Sequence, residues 1–593
     1  MTRRFWFLGL TLLMTGSSGG AARVSADSAK HLAKLCDAYW QGYLKTHPTY
    51  ATSIGDRRFD DRLEDIRPAA IAREQRRLED VLARARAIDE KALSPAERVT
   101  RAALIEEVSG QIAQLSCHFE DWVVDPLGGP QVGFMNLADY TTIATPRDAA
   151  RYVARVGAMG RTLDAHIANL RAGLARGRTA SRDAVQKVVD ELDALLDQGP
   201  GDWAVMRPAA ESREGWSPKQ SDAFGADLSR AVTGSLAPAL VRLRAMLAGE
   251  VLPAARPPEQ AGLAALPDGL ECYRKMIRVH TSLDSSPEEL HRIGLEQVAA
   301  FRRDLAELGG RVFGTTDVAA IQKKLRDDPA MHFATAQEVE GKAREALGRA
   351  KAAIPDWFGL LPRAECEVKV MGMHEAPYST IAYYRNAPDD GSRPGYYMIN
   401  TYQPETRPRY EAEALAFHES IPGHHLQIAI AQELTGLPEF RRHQGVTAFV
   451  EGWALYTERL ADDMGLYSSD LDRLGMLSYD AWRDCRLVVD TGLHAMGWSR
   501  QQAIDYMLEN TVLAENNIVN EVDRYLTWPG QALAYKVGQL EILRLRDEAR
   551  ARLGERFDIK AFHDAVLRNG AVALPVLRQQ IEAYEAGARP GAR

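Results

Sequence analysis

Cysteine is scarce in this chain. Five occur in 593 residues, at positions 36, 117, 272, 366 and 485, and no two form a CxxC pair. That excludes a disulfide-built scaffold and any metal site resting on thiolates; one disulfide is compatible with the count, but the spacing does not assign it. Charge of one sign is missing as well. The net charge is −8 without a long block of either sign, and no basic stripe is present to hold a phosphate backbone. Nucleic-acid partners are therefore not expected. There is no P-loop, and no glycine fingerprint follows a strand. "GSSGG" at 16–20 fits the G-x-S-x-G pattern but lacks the strand–turn–helix setting of a nucleophile elbow. Strand signals are few.

Long apolar runs are also lacking, apart from one near the start. Arg3 and Arg4 precede "FWFLGLTLLM", which is too short to span a bilayer, and small residues lead to "VSA" ending at Ala26. Residues 1–26 are read as a secretory signal, and no cysteine stands where a lipid anchor would attach. A secreted or periplasmic protein is expected, without stable membrane insertion after cleavage.

What the chain has in abundance is helix. "AREQRRLEDVLARARAI" and "SPEELHRIGLEQVAAFRRDLAELGG" mix Ala, Leu, Glu and Arg, with apolar positions recurring at three and four. Ser286-Pro287-Glu288-Glu289 predicts a helix start and Gly309-Gly310 a stop. The Pro- and Gly-rich stretch 252–269 is the clearest linker, dividing a helical region over 27–251 from a catalytic region over 270–593. Strands are expected at "ECEVKVMGM", "STIAYYRN" and "GYYMINTY", the last two forming a hairpin around "APDDGSRP". The predicted fold is mainly α: a large helical cleft protein with a small β hairpin or sheet next to a metal-binding helix.

That helix is "RYEAEALAFHESIPGHHLQIAIAQELTG". Three of the fourteen histidines, His418, His424 and His425, fall within eight residues. In an HExxH helix the two histidines lie four apart on one face and share one zinc. Here proline stands at 422, where the second histidine would fall, and His424 lies six residues after His418. On an unbroken helix His424 would point about 120° away, and His425 would sit about 10.5 Å further along the axis. Pro422 removes an amide donor and clashes with the preceding turn, while Gly423 tolerates unusual dihedrals. A bulge of two residues would bring His424 into the place of the second histidine, with His425 as the alternative. Glu451 in "FVEGWALYTERL" offers a third ligand from a second helix. By pattern alone it reads as a solvated glutamate, off the stripe of Val446, Phe449, Val450, Trp453 and Leu460, with Leu455 and Glu458 near its side. His374-Glu375 repeats the His-Glu dipeptide with no second histidine nearby and reads as structural.

Together, "HESIPGHHLQ", "EGWALYTERL" and "RYLTWPGQALAYKVGQLEILRLR" resemble the domain-of-unknown-function 885 family of bacterial proteins. "HPTYATSIGDRRFDDRL" near the start extends the likeness over most of the chain. In layout the family is similar to the helical zinc peptidases that include thimet oligopeptidase and the Taq-type carboxypeptidase. The resemblance implies a Zn2+ on His418, His424 and Glu451, with Glu419 as catalytic glutamate and peptides as substrates. Tyr535 is the candidate oxyanion donor, with Tyr525 and Arg524 as rivals. The competing readings are a non-catalytic zinc- or peptide-binding protein and a zinc amidase acting on a non-peptide substrate.

Overall fold

A computed structural model describes residues 18–373, 376, 380–388, 391 and 393–587. The protein is mainly α. Residues 1–17 of the expected signal and the His374-Glu375 dipeptide lie outside the described residues.

The helix starts follow local chemistry. Ser94, Thr145, Ser217 and Ser286 each accept a hydrogen bond from the backbone three residues on, and each is followed by a proline whose missing N–H costs nothing there. They open the helices Pro95–Leu115, Pro146–Ala175, Pro218–Ala231 and Pro287–Phe313. The last runs past the stop expected at Gly309-Gly310. A Cβ at Gly309 would meet the Ile321 side chain at 2.2 Å, so this glycine permits close packing, and Gly314 in the left-handed region (φ 72°) ends the helix.

The membrane expectation needs one correction. The helical run Pro218–Ala254 is long and apolar enough to cross a bilayer by composition. Here one face of it, through Phe224, Leu228, Leu236, Leu240 and Leu243, packs into a core shared with Tyr152, Val156 and Leu163. Its other face carries Arg242, paired with Asp164, and Glu250, paired with Arg171.

The elements that build the site are labelled in chain order. They are α1 (Pro287–Phe313), β1 (Cys366–Val370), β2 (Ala382–Arg385), β3 (Gly395–Ile399), α2 (Ala412–Glu419), α3 (His424–Glu433), α4 (Thr447–Asp463), α5 (Asp470–Ala495), α6 (Glu515–Thr527) and α7 (Ala534–Leu553). The three strands form one sheet in the order β1-β3-β2. β2 and β3 are the antiparallel hairpin expected from the sequence, and β1 adds to β3 in parallel. β2 is thus an edge strand, and it lies against α2.

The largest core gathers Phe417 from α2, Trp453 and Tyr456 from α4, Leu487 from α5 and Ile542 from α7. Two glycines set the spacing of α4 and α7. A Cβ at Gly538 would stand 1.8 Å from the Ala448 carbonyl oxygen, and one at Gly452 would stand 2.4 Å from Gly538 Cα. Ion pairs lock the same helices from within. Lys536 of α7 lies 3.0 Å from Asp480 and 2.8 Å from Asp484 of α5, and Arg459 of α4 also binds Asp480. The single disulfide joins Cys117 to Cys272, leaving Cys36, Cys366 and Cys485 as buried thiols. The stretch 252–269 packs on α5, where the Leu263 amide donates to His494 Nδ1 at 3.1 Å.

Candidate metal centre

The histidine segment does not bulge within one helix. α2 ends at Glu419, and α3 begins at His424. Between them the chain turns through Ser420 and a cis Ile421–Pro422 bond to Gly423. Here Gly423 is needed for space rather than for positive φ, because a Cβ would fall 1.9 Å from the His418 carbonyl oxygen. Trp453 of α4 fastens the turn by donating its indole N–H to the Pro422 carbonyl at 3.0 Å.

This break carries His424 onto His418. Their rings are perpendicular, with centroids 4.8 Å apart. Glu451 reaches both from α4, with one oxygen 3.4 Å from His424 Nε2 and 3.9 Å from His418 Nε2. The three donor atoms all lie within 4.8 Å of one another. Ligands held at about 2.0–2.1 Å around a tetrahedral ion stand roughly 3.4 Å apart. The Glu451–His424 separation meets that spacing, Glu451–His418 is wider at 3.9 Å, and the two imidazoles would have to close in on a shared ion from within 4.8 Å. Two imidazoles and a carboxylate are also a donor set suited to zinc.

His425 is turned elsewhere. Its Nδ1 lies 3.0 Å from the Tyr384 hydroxyl and its Nε2 3.1 Å from the Ala364 carbonyl. The alternative second histidine therefore braces the sheet and does not join the cluster.

Glu419 accepts the Tyr384 backbone N–H at 3.0 Å, which fixes its carboxylate beside β2. Burial pushes this carboxyl above its ordinary range; nearby His424 opposes the shift and Glu451 adds to it. Glu451 goes the other way. Burial would raise it, but the hydrogen bond and charge of His424, with Arg524 and Arg486 beyond, hold it below the usual range. His418 is pushed well below by burial, by His424 and by the charges of Arg483 and Arg486. Neutral His418 and ionised Glu451 are the forms that bind metals, whereas His424, which burial would lower but Glu451 and Glu419 raise, must give up its proton to do so.

A cavity of ≈ 430 Å³ opens onto these groups. Its walls include His418, Glu419, His424, Glu451 and Tyr535, the full set of site residues expected from the sequence. Of the rivals to Tyr535, Arg524 lines the cavity too. Tyr525 stands behind it, and its hydroxyl accepts from Arg486 Nε at 3.1 Å.

The family model for bacterial proteins of unknown function, DUF885, matches residues 48–581. The chain belongs to this family. Two solved structures are similar in fold. A "putative lipoprotein" from Colwellia psychrerythraea is 27% identical, with a TM-score of 0.87 over 94% of this chain and 99% of its own. A "putative lipoprotein of unknown function" from Shewanella oneidensis is 18% identical, with a TM-score of 0.71 over 93% and 99%. Among curated proteins, none matches the chain.

In this member of the family, several site residues escape a reading by motif. Glu458 of α4 lies 2.7 Å from His418 Nδ1. Arg483 and Arg486 of α5, and Glu521 of α6, line the cavity. The signal that could have found the arginines is two cations three apart in "AWRDCRLVVD", on a helix otherwise buried on nearly every side.

Proposed function

We propose that this protein is an exported zinc-dependent peptidase that hydrolyses peptide bonds of oligopeptides. The observation that carries the reading is the placement of Glu419. It adjoins a three-donor cluster in a cavity that the edge strand β2 also lines, and a site that only stored metal would have no use for it.

His418, His424 and Glu451 would hold a zinc ion, which would supply Lewis acidity toward a carbonyl and lower the pKa of water toward neutrality. The protein's own groups do the rest. Tyr384 turns its N–H away from β3 toward Glu419. Strand alternation therefore puts the N–H of Ala382, two residues back, on the same outer edge. A peptide laid along that edge gains backbone hydrogen bonds independent of its side chains.

Glu419 then takes a proton from water as the oxygen adds to the scissile carbonyl carbon. It returns that proton to the leaving nitrogen as the C–N bond breaks, giving a carboxylate and an amine. A carboxyl raised by burial suits this shuttle, since a base works best with its pKa near the operating pH. Tyr535 and Arg524 face the cavity as donors to the oxyanion.

Elemental analysis of the purified protein, run beside a mixed-peptide cleavage profile, tests the reading. Near-stoichiometric zinc and discrete cleavages are expected. Glu419→Gln should keep the zinc and lose roughly 100- to 10,000-fold in rate. A Glu419→Gln protein cleaving at the wild-type rate would remove the assigned base, and zinc-loaded protein inert toward all peptides would remove the peptidase.

A further inference from the structure

The cavity wall formed by α5 and α6 carries three guanidiniums, Arg483, Arg486 and Arg524. Burying a cation is costly unless an anion meets it. Among the described residues, only Glu521 forms ion pairs with these arginines, lying 2.8 Å from Arg486 and 3.4 Å from Arg524. Burial would raise the Glu521 carboxyl, but the two arginines hold it at about 2, so it is a fixed anion. Arg524 also donates to Gln531 at 2.7 Å.

Arg483 is left over. It is 5% exposed, and among the described residues no carboxylate lies within salt-bridge distance of it. Its Nη1 makes a long contact of 3.4 Å to the Tyr479 carbonyl, while its Nε and the Nη1 of Arg486 have no hydrogen-bond partner. Aromatic faces hold it in place, with Tyr479 at 4.7 Å and Trp482 at 4.4 Å. Ring faces fix the plane of a guanidinium but supply no anion. Glu419 and Glu451 share the cavity, but one oxygen of each is engaged by Tyr384 and His424, and neither carboxylate lies within salt-bridge distance of Arg483.

We infer that Arg483, backed by Arg486 and Arg524, receives the free C-terminal carboxylate of the substrate, so that the enzyme removes residues from the carboxyl end of short peptides. This rests on the peptidase reading above and narrows it. A planar guanidinium fixed by stacking is preorganised for two parallel hydrogen bonds to a carboxylate. The cavity is of the size that encloses a small ligand, which suits the end of a chain.

The test compares N-acetylated tetrapeptides as free acids and as C-terminal amides, each with and without an internal glutamate. With zinc-loaded protein, the free acids should be cleaved near their C-termini roughly 10- to 100-fold faster than the amides. In Arg483→Gln that ratio should collapse toward one, and Arg483→Lys should restore part of it. Equal wild-type rates for acids and amides would overturn the inference while leaving the peptidase intact. Faster cleavage of amides carrying glutamate would move the carboxylate to a side chain and overturn it too. Calorimetric binding of the same peptides to Glu419→Gln protein needs no turnover: tighter binding of acids supports the subsite even if no cleavage is found, and equal binding rejects it.

Discussion

Glu458 lies 2.7 Å from His418 Nδ1, and this single contact decides which face of the imidazole meets Glu451. With Nδ1 as donor, Nε2 carries the lone pair and points into the cluster. Carboxylates placed this way orient and enrich a metal-binding histidine, and losing one typically costs 10- to 100-fold in affinity. Glu458→Ala is therefore expected to lose zinc about 10- to 100-fold more readily to a chelator, with helical content kept. Glu458→Gln retains an acceptor and should fall between. Wild-type zinc retention by the alanine variant would remove this role.

Gly538 predicts an effect at a distance. α4 and α7 touch through Gly452 and Gly538, and a methyl at 538 would stand 1.8 Å from the Ala448 carbonyl. No side chain can yield there, because the obstacle is backbone. Gly538→Ala should part the helices that carry Glu451 and Tyr535, costing roughly 1–3 kcal/mol or more. Both melting temperature and zinc content should fall. A variant as stable as wild type would mean that the helices separate freely.

Gly423 makes a narrower case. Its Cβ would strike the His418 and Phe417 carbonyls at 1.9 and 2.4 Å. Gly423→Ala must open the turn between α2 and α3, and His424 moves with it. The expected signature is metal binding lost more severely than stability. An alanine variant that binds zinc normally would show that the turn has slack.

These contacts mark what the sequence discloses. Pro422-Gly423 announces that the helix cannot continue, because one residue lacks a donor and the other a side chain. What it cannot announce is the form of the interruption. The chain stops and restarts rather than bulging, since Trp453, 31 residues on, holds the turn. Choosing His424 over His425 depends on partners at Tyr384 and Ala364, which sequence spacing does not reveal. Glu451 reads as solvated by pattern because a helix buried on nearly all sides has no polar face to separate. It faces the cavity, and Glu458, two turns along the same side, reaches the same histidine. All three strands and the β2–β3 hairpin are legible in the β-rich runs of the sequence, whereas the parallel pairing of β1 with β3 is not, since it skips the intervening strand β2.

Asp490 gives the prediction that pH can read. It is buried in α5 and accepts the Tyr273 hydroxyl at 2.6 Å and the Gly530 amide at 3.1 Å. Burial raises its carboxyl to about 7, against the pull of those hydrogen bonds and of Arg486 and Arg524. In the unfolded chain an aspartate titrates near 3.9. The folded protein thus prefers the protonated form. That preference stabilises fully below about pH 4 and is lost as pH rises through about 7, for a total of a few kcal/mol at most. Asp490→Asn keeps an oxygen for both donors and carries no charge. Its unfolding free energy should decline less than that of wild type between pH 5 and pH 8, measured by denaturant titration at each pH. Parallel curves for the two proteins would show that Asp490 remains ionised in the fold, with Arg486 and Arg524 outweighing its burial.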